Sequence, residues 1–427
     1  MSLTKGTLYK SLGIYEISIP VCRIQKINMK SEIERMKINY TFYFFHYEKM
    51  NKIFPFTHSM PYKTYGKDKN EPKGTLFVAK GTSLKGGKME MQMGADSVCL
   101  PKPVYVLAAA SVAGKMEGEG PLGDCFDVIC EDDRFGTDSW EKAESEMQKE
   151  SLTIALGKAN LSGEQLRYIF AGDLLGQTIA SSFGLMEFQR PFFGLYGACS
   201  TVGEALSLAA MNVAAGYADL AAAVTSSHFG GAERQFRFPI EYANQRPLCS
   251  TWTVTGSGAY ILGTTKSNVR ITGITTGKIM DLGIRDAQNM GAAMAPAASA
   301  LILNHMKDFG RTPKDYDAII TGDLGSVGST ILVELCSIGG CDIAGNHYDC
   351  GVEIFDADEQ HTCSGGSGCG CSAITLASHY LPKIASGTWK RILFIPTGAL
   401  LSPVSFNEGN SVPGIAHGVV IEHEEVA

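Results

Sequence analysis

A chain of 427 residues with 44% hydrophobic side chains is too long for a disulfide-stapled miniprotein and too apolar to stay disordered. Its 37 Lys+Arg against 44 Asp+Glu leave a net charge of −7, which argues against a nucleic-acid binder, because neutralising phosphates needs a basic face. No run of about 18 uninterrupted apolar residues is available to span a bilayer. The twelve cysteines, scattered from Cys22 to Cys371, fit a reduced intracellular setting.

The charge is uneven along the chain. Residues 1–88 hold 16 Lys+Arg and 6 Asp+Glu, a net of +10, and the remainder holds 21 and 38, a net of −17. Three roles fit the basic extension. It could be a membrane-surface arm with Phe42-Tyr43-Phe44-Phe45 as its wedge, a partner-binding tail, or sequence that does not belong to the native protein. The third has a specific sign. Lys85-Gly86-Gly87-Lys88-Met89 is what a purine-rich ribosome-binding site gives when translated in frame ahead of a start codon. The domain is therefore expected to start near Met89.

Beyond that point the chain is written twice, with halves expected at 89–265 and 266–427. Lys158 to Leu174 and Lys307 to Leu324 each read as a helix end, a Ser or Thr cap with a polar residue three on (Ser162 to Gln165, Thr312 to Asp315), and an apolar strand ending in Gly-Asp-Leu. A Gly/Cys-rich turn follows in each half, Gly197 to Thr201 and Gly366 to Ser372. Buried strands come next, Leu220 to Thr225 and Arg391 to Thr397, and then closing Gly-rich apolar strands, Gly256 to Leu262 and Ala416 to Ile421. Short apolar runs alternating with longer helical stretches predict an α/β fold with largely parallel sheets. The stretch Glu204 to Tyr217 is Ala-rich on nearly every face, which predicts a helix buried on all sides. Two such halves predict a five-layer αβαβα arrangement with pseudo-symmetry.

These segments carry a resemblance. Gly120 to Asp127, Ala171 to Leu175, Phe193 to Thr201, Thr225 to His228 with Ala232 to Arg237, Ile279 to Ile284, Met290 to Ala297, Tyr348 to Gly351, Ser364 to Cys369 and Thr397 to Pro403 together resemble the stage V sporulation protein AD family of spore-forming bacteria, which has a thiolase-like fold. The resemblance covers about Pro101 to Glu422. It implies binding of dipicolinic acid (pyridine-2,6-dicarboxylate), as free acid or calcium chelate, and a part in its uptake into the developing spore. It also implies membrane-protein partners of the same operon, a peripheral place at the forespore or spore inner membrane, and a homodimer of the kind common among thiolase-like chains. No cofactor and no nucleic acid are implied.

Cys199 is placed at a strand-to-helix turn, where free N–H groups and the helix dipole favour a thiolate or a bound anion. In thiolases and ketoacyl synthases a cysteine so placed accepts an acyl group. Those enzymes also need a base and oxyanion donors, usually His with His or Asn. Here the strand end carries Gly322-Asp323-Leu324, and the turn Ser364 to Ser372 has neither His nor Asn. His347, His361 and His417 are near in sequence but fit surface or core positions better. A ligand pocket derived from an enzyme fold is the leading expectation, with a condensing or acyl-transfer enzyme using Cys199 as its rival and a purely structural protein as a third possibility.

A rigid dianion asks for two separated donor-rich sites. The expected ligand set is Cys199, Ser200 and Thr201 for one carboxylate, and Ser226, Ser227, His228, Arg234 and Arg237 for the other. Asp173 and Asp323 occupy equivalent strand ends. Asp173 is expected to cap its own turn, whereas Asp323 is a candidate for either a capping or a pocket role. Cys363, Cys369 and Cys371, with Cys350 and His347 before them, lack zinc-like spacing and are not expected to bind metal.

Overall fold

The structure is a computed structural model that describes residues 91–236, 240–243 and 245–426; the extension 1–88 and Arg237 lie outside them. Ten principal strands can be taken in chain order. They are β1 (Ser97–Ala113), β2 (Tyr168–Gly172), β3 (Phe192–Leu195), β4 (Leu220–Ser227), β5 (Gly256–Gly263), β6 (Val269–Thr276), β7 (Ala318–Thr321), β8 (His347–Asp349), β9 (Arg391–Ile395) and β10 (Gly414–His423). They lie side by side as β3-β2-β4-β5-β1-β6-β10-β9-β7-β8. Counted within its own half, each set of five therefore has the order third, second, fourth, fifth, first. The internal repeat is thus a repeat of topology.

Two pairings in each half are parallel (β2 with β3 and β4; β7 with β8 and β9) and two are antiparallel. The sheets are therefore mixed, not largely parallel as expected. An apolar run carries no sign of its direction, and in each half it is the closing Gly-rich strand that runs against its neighbours.

Helices fill the other layers. α1 (Trp140–Ala159) covers the outer face of the first sheet; α2 (Thr201–Ala214) precedes β4, and α3 (Phe229–Phe236) follows it. α4 (Met290–Phe309) and α5 (Gly325–Ile338) pack together on the outer face of the second sheet. α2 and α6 (Cys369–Thr375) lie between the sheets, where one apolar cluster joins both helices to strands of both halves. No residue of α2 is exposed. The five-layer thiolase-like arrangement of two pseudo-symmetric halves is borne out. β1 crosses between layers: residues 97–99 and 104–105 pair with β6 and residues 105–113 with β5, and the ladder breaks at exposed Pro101-Lys102-Pro103, where two prolines remove N–H donors.

Local rules read from the sequence hold at the matched caps. Ser162 with Gln165, and Thr312 with Asp315, both form reciprocal capping boxes, each opening a three-residue 3-10 turn that feeds β2 or β7.

A buried hydrogen-bond chain ties β1 and β6 to α4. Arg311 donates to the Tyr316 hydroxyl (3.0 Å), which meets His305 Nε2 (2.5 Å). His305 Nδ1 meets Thr275 Oγ1 (2.6 Å), and Thr275 meets Ser97 Oγ (2.8 Å), which donates to Asp308 (2.9 Å). Because Ser97 spends its proton on Asp308, Thr275 must donate to Ser97 and His305 Nδ1–H to Thr275. Burial, and the Arg311 guanidinium next, push the His305 pKa down to about 3, so the ring is neutral and Nε2 accepts from the Tyr316 hydroxyl.

Two predictions follow from this packing. A neutral buried histidine contributes stability that is fully present above the unfolded value near 6.5 and is lost as pH falls below it, about 2 kcal/mol by pH 5. Glu117 and Asp349, pushed up to about 7 by burial, act with the opposite sign, favouring folding as pH falls from 7 toward 4. The measurable quantity is therefore a difference: denaturant melts of His305→Gln should lose less stability than the parent between pH 7 and 5, and equal losses would refute the neutral chain. The second prediction concerns close approach. A Cβ on Gly398 would lie 2.3 Å from the Gly197 carbonyl oxygen, whereas one on Gly157 in α1 meets nothing within 4 Å. Gly398→Ala should cost about 3 kcal/mol, and Gly157→Ala should stabilise by about 0.8 kcal/mol, both read from thermal melts.

Candidate functional site

The chain leaves β3, turns at Tyr196-Gly197-Ala198 and enters α2 at Thr201, with Ala198 in the left-handed region (φ 50°). Side chains of the turn hold this geometry. Ser200 Oγ donates to the Gly197 carbonyl (2.6 Å), Thr201 Oγ1 donates to the Ala198 carbonyl (2.5 Å), and the Gly197 N–H donates to Thr201 Oγ1 (3.1 Å). Both hydroxyls are fully buried in the turn, and neither residue lines the adjoining cavity. Cys199 does line it, together with Leu174, Tyr196, Glu233, Phe236 and Ser367 among others. The cavity is small, about 20 Å³.

The second half supplies the floor. The two-residue strand Gly366–Ser367 pairs in parallel with Trp252–Thr253 and carries Ser367 to within 3.7 Å of the Cys199 sulfur. Ser367 Oγ donates to Asp323 (3.0 Å), Thr397 Oγ1 donates to its other carboxylate oxygen (2.6 Å), and the Gly368 N–H adds a longer bond (3.3 Å). Burial raises the Asp323 pKa while these donors oppose the rise. Burial first, and the Asp323 charge second, push the Cys199 thiol well above its ordinary range. The thiol is therefore protonated at neutral pH even at a helix N-terminus.

Asp173 and Asp323, equivalent in the repeat, do different work. Asp173 accepts from the Leu175 N–H (2.9 Å) and from both the N–H (2.9 Å) and hydroxyl (2.6 Å) of Ser181, so it caps its own turn. In the second half that task falls to Asp349, which reaches across from β8 to accept from the Leu324 and Gly325 N–H groups (2.9 Å each) and from Thr321 (2.6 Å). Asp323 is thereby left facing Ser367 and Thr397.

The rest of the expected ligand set is placed elsewhere. Ser226 donates to Glu144 (2.7 Å) and accepts from Gln148 (2.7 Å) in a buried network under α1. Ser227 donates to the Val254 carbonyl (2.6 Å) and accepts from the Gly370 N–H (3.0 Å). His228 Nδ1 accepts from the Gly230 N–H (3.1 Å), so Nε2 carries the proton shared with the Asp133 carbonyl (2.7 Å); burial lowers its pKa. His228 lines a different, open cleft. Arg234 is half-exposed, paired with Glu141 and stacked over Trp140.

Among the described residues no histidine lines the Cys199 cavity. His347 shares a hydrogen bond with Thr321 (2.9 Å), His417 is buried in β10, and His361 is exposed. The Cys369 and Cys371 thiols point to the Ala198 and Gly322 carbonyls. Ser367, Thr397 and Glu233 were missed as site residues, although each falls inside a segment that carried the family resemblance. Glu233 accepts from Thr253 (3.0 Å) and lies 3.6 Å from the buried Arg246 guanidinium, which stacks over Trp252.

Comparisons with known proteins agree on the family. The model of stage V sporulation protein AD matches residues 94–422. Stage V sporulation protein AD of Bacillus subtilis (strain 168) is 43% identical over 320 residues, covering 75% of this chain and 94% of that protein. Among solved structures, the tetronic acid condensing enzyme AbyA1 is similar at 15% identity, with a TM-score of 0.49 over 75% of this chain and 99% of that one. The 3-oxoacyl-[acyl-carrier-protein] synthase III of Aquifex aeolicus VF5 is similar at 12% identity and a TM-score of 0.45, again over 75% and 99%. Scores of this size carry no statement about chemistry. The family match and the relative in Bacillus subtilis establish the family: the chain belongs to the stage V sporulation protein AD family of sporulation proteins.

Proposed function

We propose that this sporulation protein is a non-catalytic binding protein for pyridine-2,6-dicarboxylate, that the ligand docks at the Cys199 cavity, and that the protein acts with membrane partners in bringing it into the developing spore, peripheral to the spore inner membrane. The observation that carries the non-catalytic part is the Cys199–Ser367–Asp323–Thr397 arrangement. A nucleophilic thiol needs a neighbouring cation or a base that takes its proton, and here burial first and the Asp323 carboxylate second keep the thiol protonated, against the smaller opposing effect of the Ser367 hydroxyl. The acyl-transfer rival needs a long channel to the cysteine, and the cavity beside it has a volume of about 20 Å³.

Family membership and the α2 N-terminus support the ligand class. The two acids at the site oppose an anion less than their count suggests. Asp323 is capped by three donors, and Glu233 lies beside a guanidinium. A planar ring enters only if wall side chains such as Phe236 and Leu401 move apart, so binding carries a conformational cost.

A homodimer belongs to the same proposal. Among the described residues β3 ends the first sheet with an unpaired edge, and its exposed Phe192 and Phe193 continue the exposed Phe183 and Met186 on the approach to it. A second copy pairing at this edge would cover them.

Three measurements decide among these. Calorimetric titration of dipicolinate, with and without calcium, should give saturable binding that Cys199→Trp weakens at least tenfold by filling the cavity; unchanged affinity would move the site elsewhere. Alkylation by iodoacetamide at pH 7.5 should be at least tenfold slower at Cys199 than at exposed Cys125, and a faster Cys199, or an acyl adduct from acyl-CoA, would return the enzyme reading. Sedimentation should show a dimer that Phe183→Glu with Met186→Glu shifts toward monomer.

A further inference from the structure

Among the described residues no Lys or Arg lines the Cys199 cavity, yet a cation stands behind one residue of its wall. Glu233 of α3 lines the cavity, and its carboxylate lies 3.6 Å from the Arg246 guanidinium. Both side chains are buried, Arg246 with 4% and Glu233 with 2% exposure. A buried ion pair adds little net stability over apolar side chains of similar volume, whereas removing one partner strands a costly charge. Arg246 therefore needs an anion facing it. Glu233 supplies one, and a second carboxylate reaching the same point could supply it instead.

The spacing of the wall suits a ligand with two carboxylates. Thr253 pairs in register with Ser367, so the two side chains stand side by side along the cavity they both line. Neighbouring strands are about 4.8 Å apart, a step close to that between two carboxylates flanking the nitrogen of a pyridine ring. At one end of this step Ser367 lies beside the Cys199 sulfur. At the other, Thr253 Oγ1 donates (3.0 Å) to the same Glu233 oxygen that faces Arg246. The guanidinium is stacked over Trp252, 5.1 Å from the ring centroid. Stacking fixes its plane and directs its N–H donors along the edges, where a carboxylate is received.

We infer that Arg246 selects a dicarboxylate over a monocarboxylate at this site, and that Glu233 holds the place of the ligand's second carboxylate. The inference rests on the Cys199 cavity being the dipicolinate site. Binding is then an exchange: the second carboxylate takes over Arg246 and the Thr253 hydroxyl, and Glu233 turns aside. A monocarboxylate docked at Cys199 leaves the Glu233–Arg246 pair intact and gains nothing from it. Glu233 thus competes with the ligand for one cation, which sets its effect on affinity opposite in sign to that of Arg246.

Titration calorimetry of sodium dipicolinate and sodium picolinate into the full chain tests this with Arg246→Gln, Glu233→Gln and the double variant. Arg246→Gln should weaken dipicolinate by about tenfold or more, as the loss of a charge-assisted contact does, and leave picolinate unchanged. Glu233→Gln should tighten dipicolinate, because the competing carboxylate is gone. A merely structural pair would give losses in both single variants and for both ligands. The double variant strands no charge, so its thermal melt should stay near that of the parent while its preference for dipicolinate over picolinate disappears. Preference retained without Arg246, or dipicolinate weakened by Glu233→Gln, would overturn the inference. Dipicolinate binding that Cys199→Trp abolishes and Arg246→Gln leaves intact overturns this inference alone. Binding that Cys199→Trp leaves intact, or no binding to the parent, overturns the cavity reading and this inference with it.

Discussion

Everything in this molecule depends on two sheets closing over α2 and α6 with no space to spare. A helix covered on all sides cannot carry large side chains everywhere, and the backbones opposite must come within van der Waals reach. At Gly258, a Cβ would lie 2.7 Å from the Ala373 backbone of α6. The same closeness acts at the entry to α2, where Gly398 of the second half abuts the Gly197 carbonyl of the first. That contact limits where the turn can run, and within those limits the Ser200 and Thr201 bonds hold it with Ala198 left-handed. Cys199 is thus positioned by the meeting of the halves rather than by either half alone.

The chemistry of the site follows from the same closure. Excluding water removes the solvation that a thiolate or a carboxylate needs, so burial raises both the Cys199 and the Asp323 pKa values. Three donors then favour the Asp323 charge, and that charge disfavours a second one on the sulfur. A dipole at a helix end is worth about 0.3–1 kcal/mol at most exposed sites, too little to reverse a shift dominated by desolvation. Position at a helix N-terminus is therefore a poor guide to thiol reactivity when the surroundings are dry and anionic.

Much of the fold was legible because it is set by local rules that appear twice. The Ser162 and Thr312 caps, the Gly-Asp-Leu strand ends and the Ala-rich α2 each fix a local geometry, and agreement between two copies removes coincidence. The direction of β5 and β10 was not legible, since direction depends on the route of the connection and not on the strand's composition. Placement of Cys199 at the strand-to-helix turn was legible for the same reason as the fold. Hydroxyl roles were not. Ser200, Thr201, Ser226 and Ser227 all stand near the right place in sequence, but a short side chain beside a tight turn or an adjacent carboxylate finds a partner there first. Ser367 and Thr397 gain their importance from Asp323, across 44 and 74 residues of chain, which no spacing rule reports.

The division of labour among Asp173, Asp323 and Asp349 bears on how a duplicated gene acquires one site instead of two. Identical copies of a half-domain start with the same obligations, and a residue that holds a turn together is not free to change its task. In the second copy the neighbouring strand offers Asp349 to the same kind of backbone N–H groups that Asp173 serves in the first. Redundancy at that anchor releases Asp323 without dissolving the turn beneath it. Symmetry of the scaffold and asymmetry of the site are then compatible: one substituted anchor is enough to turn a repeated structural residue into a specialised one.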